Sequence, residues 1–177
     1  LATAALCAAA LAAKADFPAR MRLADGSEKQ GMLRWLPVQK AYNLAVKNAQ
    51  GQVLEIEVKP DEIVALQVAE PKNWKASQNN PAALQAIAAE YKMMQWDAEA
   101  GAVLARGLLR QNKAKAAVEA CKKIEQGNPA AAWDSRMAPE YWRALLETGA
   151  TAQLPKLLDK GAQSQDLSVA AAACLVR

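Results

Sequence analysis

The sequence predicts an α+β protein in which a small five-stranded β barrel precedes an array of α-helical hairpins. Apolar and polar residues alternate with a period of two between residues 16 and 72, and apolar residues recur at helical spacing between residues 81 and 177. A polar stretch at residues 73–80 separates the two patterns and is predicted to be a linker. Much of the 53% hydrophobic content is alanine, which favours closely packed helices.

Residues 1–15 are predicted to be the end of a signal peptide. Thirteen residues pass without a charge before Lys14, and Ala13 and Ala15 give the small-x-small pattern at which signal peptidases cleave. We therefore expect an exported protein, periplasmic or secreted, whose mature chain begins at Asp16. The alternative is an alanine-rich first helix packed on the domain. The stretch is too short to span a bilayer, and we expect no membrane-spanning segment.

Five short strands are predicted in the β module. Their expected ranges are residues 19–23, 31–36, 41–46, 53–58 and 63–68. The fourth range shows the alternation best, because Leu54, Ile56 and Val58 fall on one face and Glu55 and Glu57 on the other. Five short strands joined by tight turns usually curl into a small barrel.

The order of these strands resembles that of Sm-like proteins. Gly31-Met32-Leu33 stands where that family has a Gly-x-Leu strand, and Asn43-Leu44-Ala45-Val46 stands where it has Asn-Leu-x-Val. The resemblance implies a barrel. It does not extend to RNA binding, because the RNA-gripping residues have no counterpart and residues 16–72 carry eight basic and eight acidic side chains. We therefore expect no nucleic-acid partner, and a cytoplasmic nucleic-acid-binding barrel is the least favoured alternative.

The second half is predicted to form helix pairs. Asn80 and Pro81 give the first helix an N-cap and a favourable first residue. From Ala98 to Pro129 the apolar and small residues have the spacing of two packed helices, and a second copy follows at an offset of 37 residues. The predicted packing positions of both copies are Leu104, Ala105, Leu108, Ala117, Cys121, Ile124, Leu145 and Leu158.

This spacing resembles that of tetratricopeptide repeats, which stack helix pairs into a binding surface. Residues 165–177 then read as the first helix of a third unit, so the array is expected to be truncated at its C-terminus. Two residues depart from the pattern, because Gly101 replaces a common tryptophan and Cys121 an aromatic. The alternative is an irregular helical bundle without repeats, which would bury the same residues.

No catalytic, metal-binding or cofactor-binding residues are predicted. The chain contains no histidine, which excludes histidine-based triads and histidine-ligated zinc within it. Its cysteines, Cys7, Cys121 and Cys174, lack the CxxC spacing of zinc and redox sites. Cys121 and Cys174 are expected to be buried thiols, and a disulfide between them is the alternative.

The predicted function is that of a non-enzymatic, exported scaffold that binds a protein or peptide through its helical surface. The alternative is an accessory domain of an enzyme whose catalytic part lies beyond Arg177. Trp74, Tyr91 and Trp96 form an aromatic cluster near the junction of the two halves. We predict that Trp74 packs between the halves, and the alternative is a flexible tether with Trp74 exposed.

Overall fold

A computed structural model of the chain describes residues 16–150, 152 and 154–162. The predicted signal peptide at residues 1–15 and the predicted third unit at residues 165–177 lie outside the described residues. The chain divides into two compact units, Leu1–Leu66 and Gln67–Arg177. The β module was predicted to extend to residue 72, and the division between the two units falls after Leu66.

The first unit contains an antiparallel five-stranded sheet. The strands run in the order β4-β3-β2-β1-β5, so β4 and β5 form the two edges. Direct pairing of β1 with β2, β2 with β3, and β3 with β4 follows the chain. The strands are β1 (Phe17–Leu23), β2 (Glu28–Leu36), β3 (Ala41–Lys47), β4 (Val53–Val58) and β5 (Ile63–Val68).

The sheet is open, so the prediction of a closed barrel is wrong. Closure would need the two edge strands to pair, but β5 pairs beside β1 and β4 pairs with β3. Only one 3₁₀ turn, Pro60–Glu62, connects the edges. A flat five-stranded sheet would separate its edges by about 19 Å, whereas such a turn rises only about 6 Å. The sheet must therefore curl strongly without completing the hydrogen-bonded ring.

Gly31 allows β2 and β3 to approach each other closely. A Cβ atom at this position would overlap the Ala45 carbonyl oxygen and lie 2.9 Å from its carbon. The backbone of β3 cannot yield as a flexible side chain would. Next to this point the register aligns Phe17, Leu33, Leu44 and Ile56 across four strands. This row contributes to the buried face of the sheet, in which Leu33 and Leu44 are fully buried.

The second unit is helical. A one-turn helix, α1, occupies part of the predicted linker, and a 3₁₀ turn at Pro129–Trp133 separates α4 from α5. The predicted N-cap of α2 is confirmed, because the Asn80 side chain accepts hydrogen bonds from Ala82 N and Ala83 N at 3.1 and 3.2 Å. The helices are α1 (Trp74–Ser77), α2 (Pro81–Glu90), α3 (Gln95–Arg110), α4 (Ala114–Gly127), α5 (Ala138–Glu147) and α6 (Leu154–Ala162).

Helices α2 to α5 each pack on the helix that follows or precedes them in the chain, and α5 also contacts a helix two positions earlier. Helix α3 packs against α2 and α4, and α5 packs against both α3 and α4. Fully buried Tyr141, Trp142 and Met137 lie in the core that these helices share. Within the described residues, every helix is too short or too polar to cross a membrane.

Candidate functional site

A surface groove of about 310 Å³ lies between α2, α3 and α4, and we name it the α2–α4 groove. Leu104 and Ala120 are buried in its floor and Ile124 is half-buried, whereas Lys92 and Lys123 are exposed at its rim. The groove therefore combines an apolar floor with a basic rim. The complete lining is Gln85, Ala88, Ala89, Lys92, Asp97, Leu104, Ala120, Lys123, Ile124 and Gly127.

Lys92 and Lys123 both lie near Gly127. Lys92 follows α2, and its Cε atom would lie 3.0 Å from a Cβ added at Gly127. Lys123 precedes Gly127 by four residues on α4, so the two positions are neighbours about 5–6 Å apart on one helix face. Neither lysine side chain has an ion pair or hydrogen bond within the part of the chain that the structure describes. Two exposed positive charges without ion-pair partners thus line one groove.

A buried carboxylate, Asp97, lies in the first turn of α3 and also lines the groove. Its Oδ1 accepts a hydrogen bond from Ala98 N at 2.8 Å. Its Oδ2 accepts from Met93 N and from Asn128 Nδ2, both at 2.9 Å. These bonds tie the turn before α3 to the end of α4. Met93 has a φ of 64°, an unusual value for a residue with a side chain, and the bond to Asp97 helps to hold it there.

Burial raises the pKa of Asp97 to about 6, because removal of the carboxylate from water disfavours its charged form. The hydrogen bonds from Asn128, Met93 and Ala98 act in the opposite direction, and the nearby charge of Asp134 adds to the rise. Asp134 is itself paired with Arg136, whose Nη2 lies 2.7 Å from Asp134 Oδ2. The negative charge of Asp97 is thus stabilised by hydrogen bonds from N–H groups and not by an ion pair.

A carboxyl group with a pKa near neutrality is a common general acid or base, but the contacts of Asp97 do not favour that role. Three N–H groups already occupy its oxygens, and its charge lies in the first turn of α3, where the helix dipole favours an acidic residue. Among the described residues, no group of three or more Cys, Asp and Glu side chains could hold a metal ion. The geometry therefore favours a structural role, in which Asp97 fixes the floor of the groove.

A second cavity of about 570 Å³ lies beside α4 and α6. Its walls carry both signs of charge, because Lys122 and Lys156 face it together with Glu125. Glu125 is already engaged, since its Oε2 accepts a hydrogen bond from the Tyr141 hydroxyl at 2.9 Å. This cavity mixes acidic and basic side chains, whereas both exposed charges at the rim of the α2–α4 groove are positive.

The predicted packing positions fall on α3, α4, α5 and α6. Of these residues Leu108 and Ile124 are half-buried, and the other six are buried: Leu104, Ala105, Ala117, Cys121, Leu145 and Leu158. Cys121 is a free thiol whose pKa burial raises to about 12. Its proposed alternative partner, Cys174, lies outside the described residues. Two packing positions, Leu104 and Ile124, also line the groove.

The predicted aromatic cluster is present within the helical unit. Trp74 and Trp96 pack edge to face with ring centroids 5.1 Å apart, and Trp74 and Tyr91 are both buried. Trp96 Nε1 donates a hydrogen bond to Val68 O at 3.0 Å. The alternative of an exposed Trp74 is therefore wrong, because the indole has Trp96 to pack on. The role of Trp74 between the halves stays a prediction.

Comparison with known proteins adds no relative. No family model matches the chain, and neither a curated protein sequence nor a solved structure shows significant similarity to it.

Sequence reasoning missed the groove and most of its polar residues. Lys123 is one of several lysines on α4, and its position in the sequence does not distinguish it from the others. Lys92 carries no signal in the sequence, because its position depends on a contact with Gly127, 35 residues further along the chain. Asp97 offered one signal, since an acidic residue in the first turn of a helix is favoured there.

Proposed function

We propose that this protein is a non-enzymatic binding module that holds a protein or peptide segment on its helical unit. The observation that carries the proposal is the α2–α4 groove, where an apolar floor adjoins two exposed lysines whose side chains form no ion pair among the described residues. A volume of about 310 Å³ lies at the lower end of the range for small-molecule sites. It suits one or two side chains of a larger partner.

The helix packing supports the same proposal. Helix α5 packs on both members of the α3–α4 pair, which is the arrangement expected when helix pairs stack in a repeat array. Such stacks present extended surfaces to protein partners. We further propose that the chain is exported, on the strength of the signal-peptide pattern at residues 1–15.

Site-specific photo-crosslinking in the source cell tests the binding function. A photoreactive amino acid is placed at Gln85 in the groove, at exposed Leu146 on α5, and at exposed Gln50 in the turn before β4 as the matched control. We expect discrete adducts from at least one helical position and none from Gln50. Adducts from Gln50 alone, or from no position, would contradict a helical binding surface.

Export is tested separately by N-terminal sequencing of the mature protein. The signal-peptide pattern predicts that the mature chain begins at Asp16. A mature chain that retains residues 1–15 would show that this segment is a structural helix instead.

A further inference from the structure

The geometry points to an acidic peptide segment with aliphatic side chains as the ligand of the α2–α4 groove. This inference rests on the proposed function and specifies the chemistry of the partner. Lys92 and Lys123 would bind carboxylates of the peptide, and the floor formed by Leu104, Ala120 and Ile124 would receive an aliphatic side chain.

The charge argument begins with the spacing of the two lysines. The Lys92 side chain lies across Gly127, one helical turn from Lys123, and both lysines line the groove. Two cationic side chains on one groove favour an anionic ligand, because each can form a charge-assisted hydrogen bond to a carboxylate. Within the described chain no carboxylate forms an ion pair with either lysine, so both remain available to a ligand.

Asp97 does not reverse the sign of the rim. It is 2% exposed, and its oxygens accept three N–H groups that offset its charge. Lys92 and Lys123 are both exposed and can reach a ligand at the surface. The groove therefore presents positive charge outside and apolar surface inside.

The floor explains why a plain anion would not suffice. Leu104 and Ala120 come from two different helices, and Ile124 lies one turn after Ala120 on α4. Together they form an apolar depression, from which an aliphatic side chain of a ligand would displace water. A short peptide that contains both leucine and glutamate can place an aliphatic side chain on the floor and a carboxylate at the rim, so one segment can satisfy both features. A fatty acid shares the chemistry of an apolar body and a carboxylate, and the experiment distinguishes it.

The test measures binding of a fluorescein-labelled ten-residue peptide in which leucine and glutamate alternate, by anisotropy with the full chain. The matched control peptide carries glutamine in place of glutamate. We expect the acidic peptide to bind at least tenfold more tightly than the control. We also expect its affinity to fall as NaCl is raised from 50 to 500 mM, because salt screens exposed charges.

Variants of the protein locate the site. Lys92→Glu and Lys123→Glu should each weaken binding at least tenfold, and the milder Lys92→Gln should weaken it less. Lys115→Glu is the matched control, because Lys115 is exposed on α4 but does not line the groove, and it should change the affinity less than twofold. Ala88→Leu should also weaken binding at least tenfold, since the larger side chain enters the groove from α2. Circular dichroism confirms that each variant is folded.

Several results would overturn the inference. The first two are a peptide that does not bind at concentrations up to 1 mM and equal binding of the acidic and control peptides. The third is an equal effect of Lys115→Glu and Lys92→Glu on the affinity. The fourth is binding of decanoate by a protein that does not bind the peptide. If the peptide fails but cross-linking still yields adducts from Leu146, the binding module stands and only its assignment to this groove is wrong.

Discussion

The side-chain amide of Asn128 donates a hydrogen bond of 2.9 Å to the buried carboxylate of Asp97, which joins the end of α4 to the start of α3. The two residues lie 31 positions apart in the sequence, and both are at least nine-tenths buried. This bond, with those from Met93 and Ala98, places the turn that carries Lys92 against α4. The rim of the groove thus depends on a buried polar contact beneath it.

The stability of the helical unit should decrease as pH rises from about 4 to about 7. The pKa of Asp97 is raised from 3.8 to about 6, so the folded protein binds this proton more tightly than the unfolded chain does. A rise of this size corresponds to about 3 kcal/mol of unfolding free energy, present at low pH and lost as pH passes through the folded pKa. Urea unfolding followed by helical circular dichroism at several pH values measures it.

The control for this prediction is a pair of carboxyl substitutions. Asp97→Asn should remove the dependence on pH in this window. Glu57→Gln should leave it unchanged, because Glu57 is exposed on β4. A steep pH dependence that survives Asp97→Asn would assign the effect to another group.

Gly31→Ala should destabilise the sheet by about 3 kcal/mol or more. The added Cβ would overlap the backbone carbonyl of Ala45, which cannot move aside without disturbing the ladder between β2 and β3. Gly107→Ala is the matched control, because a Cβ there meets nothing within 4 Å and Gly107 lies inside α3. It should stabilise the protein by about 0.5–1 kcal/mol. Equal effects of the two substitutions on chemical denaturation would refute the close approach at Gly31.

The curl of the sheet shows how far the sequence could predict this unit. Alternation in residues such as Leu54, Ile56 and Val58 predicted the strands, because period-two patterning follows from the pleat. Closure could not be predicted in the same way. It depends on whether the edge strands β4 and β5 pair, and an alternating hydrophobic pattern does not specify that pairing.

The helical unit shows the same division between local and distant information. The N-cap at Asn80 was predictable because capping is chemistry within four residues. The groove was not, because the chain turns through Met93 at positive φ and no glycine marks that conformation in the sequence. The close approach of Lys92 to Gly127 joins the turn after α2 to α4, and a single sequence carries no pattern for it.

The thiol of Cys121 should be nearly inert to thiol reagents in the folded protein. It is fully buried, and its pKa is raised to about 12, so the reactive thiolate is scarce at neutral pH. The labelling rate is compared in native buffer and in urea, in a chain whose Cys7 and Cys174 are replaced by serine. Cys121→Asp should cost about 3–5 kcal/mol, because it buries an unpaired charge, whereas Cys121→Ala should cost about 1 kcal/mol. Rapid native labelling would show that the α4 register is wrong.

Trp74→Ala should lower the unfolding midpoint of the helical unit. The substitution removes a buried indole that packs on Trp96, which corresponds to about 3–5 kcal/mol for a large-to-small change. If Trp74 also packs between the two halves, as predicted, the substitution should make the halves unfold in two separate transitions. Calorimetry of the full chain measures both effects. A single transition with an unchanged midpoint would mean that Trp74 neither stabilises the helical unit nor couples the two halves. A single transition with a lower midpoint would limit its role to the helical unit.

Hydrogen exchange of the full chain, with and without the acidic leucine–glutamate peptide, tests the central claim most directly. The account predicts that the peptide slows exchange in residues 85–92 and 120–127, which line the α2–α4 groove, and leaves the strands of residues 17–68 unchanged. The same measurement with Lys92→Glu should show no slowing. Slower exchange confined to the strands, or no change anywhere at a saturating peptide concentration, would contradict it.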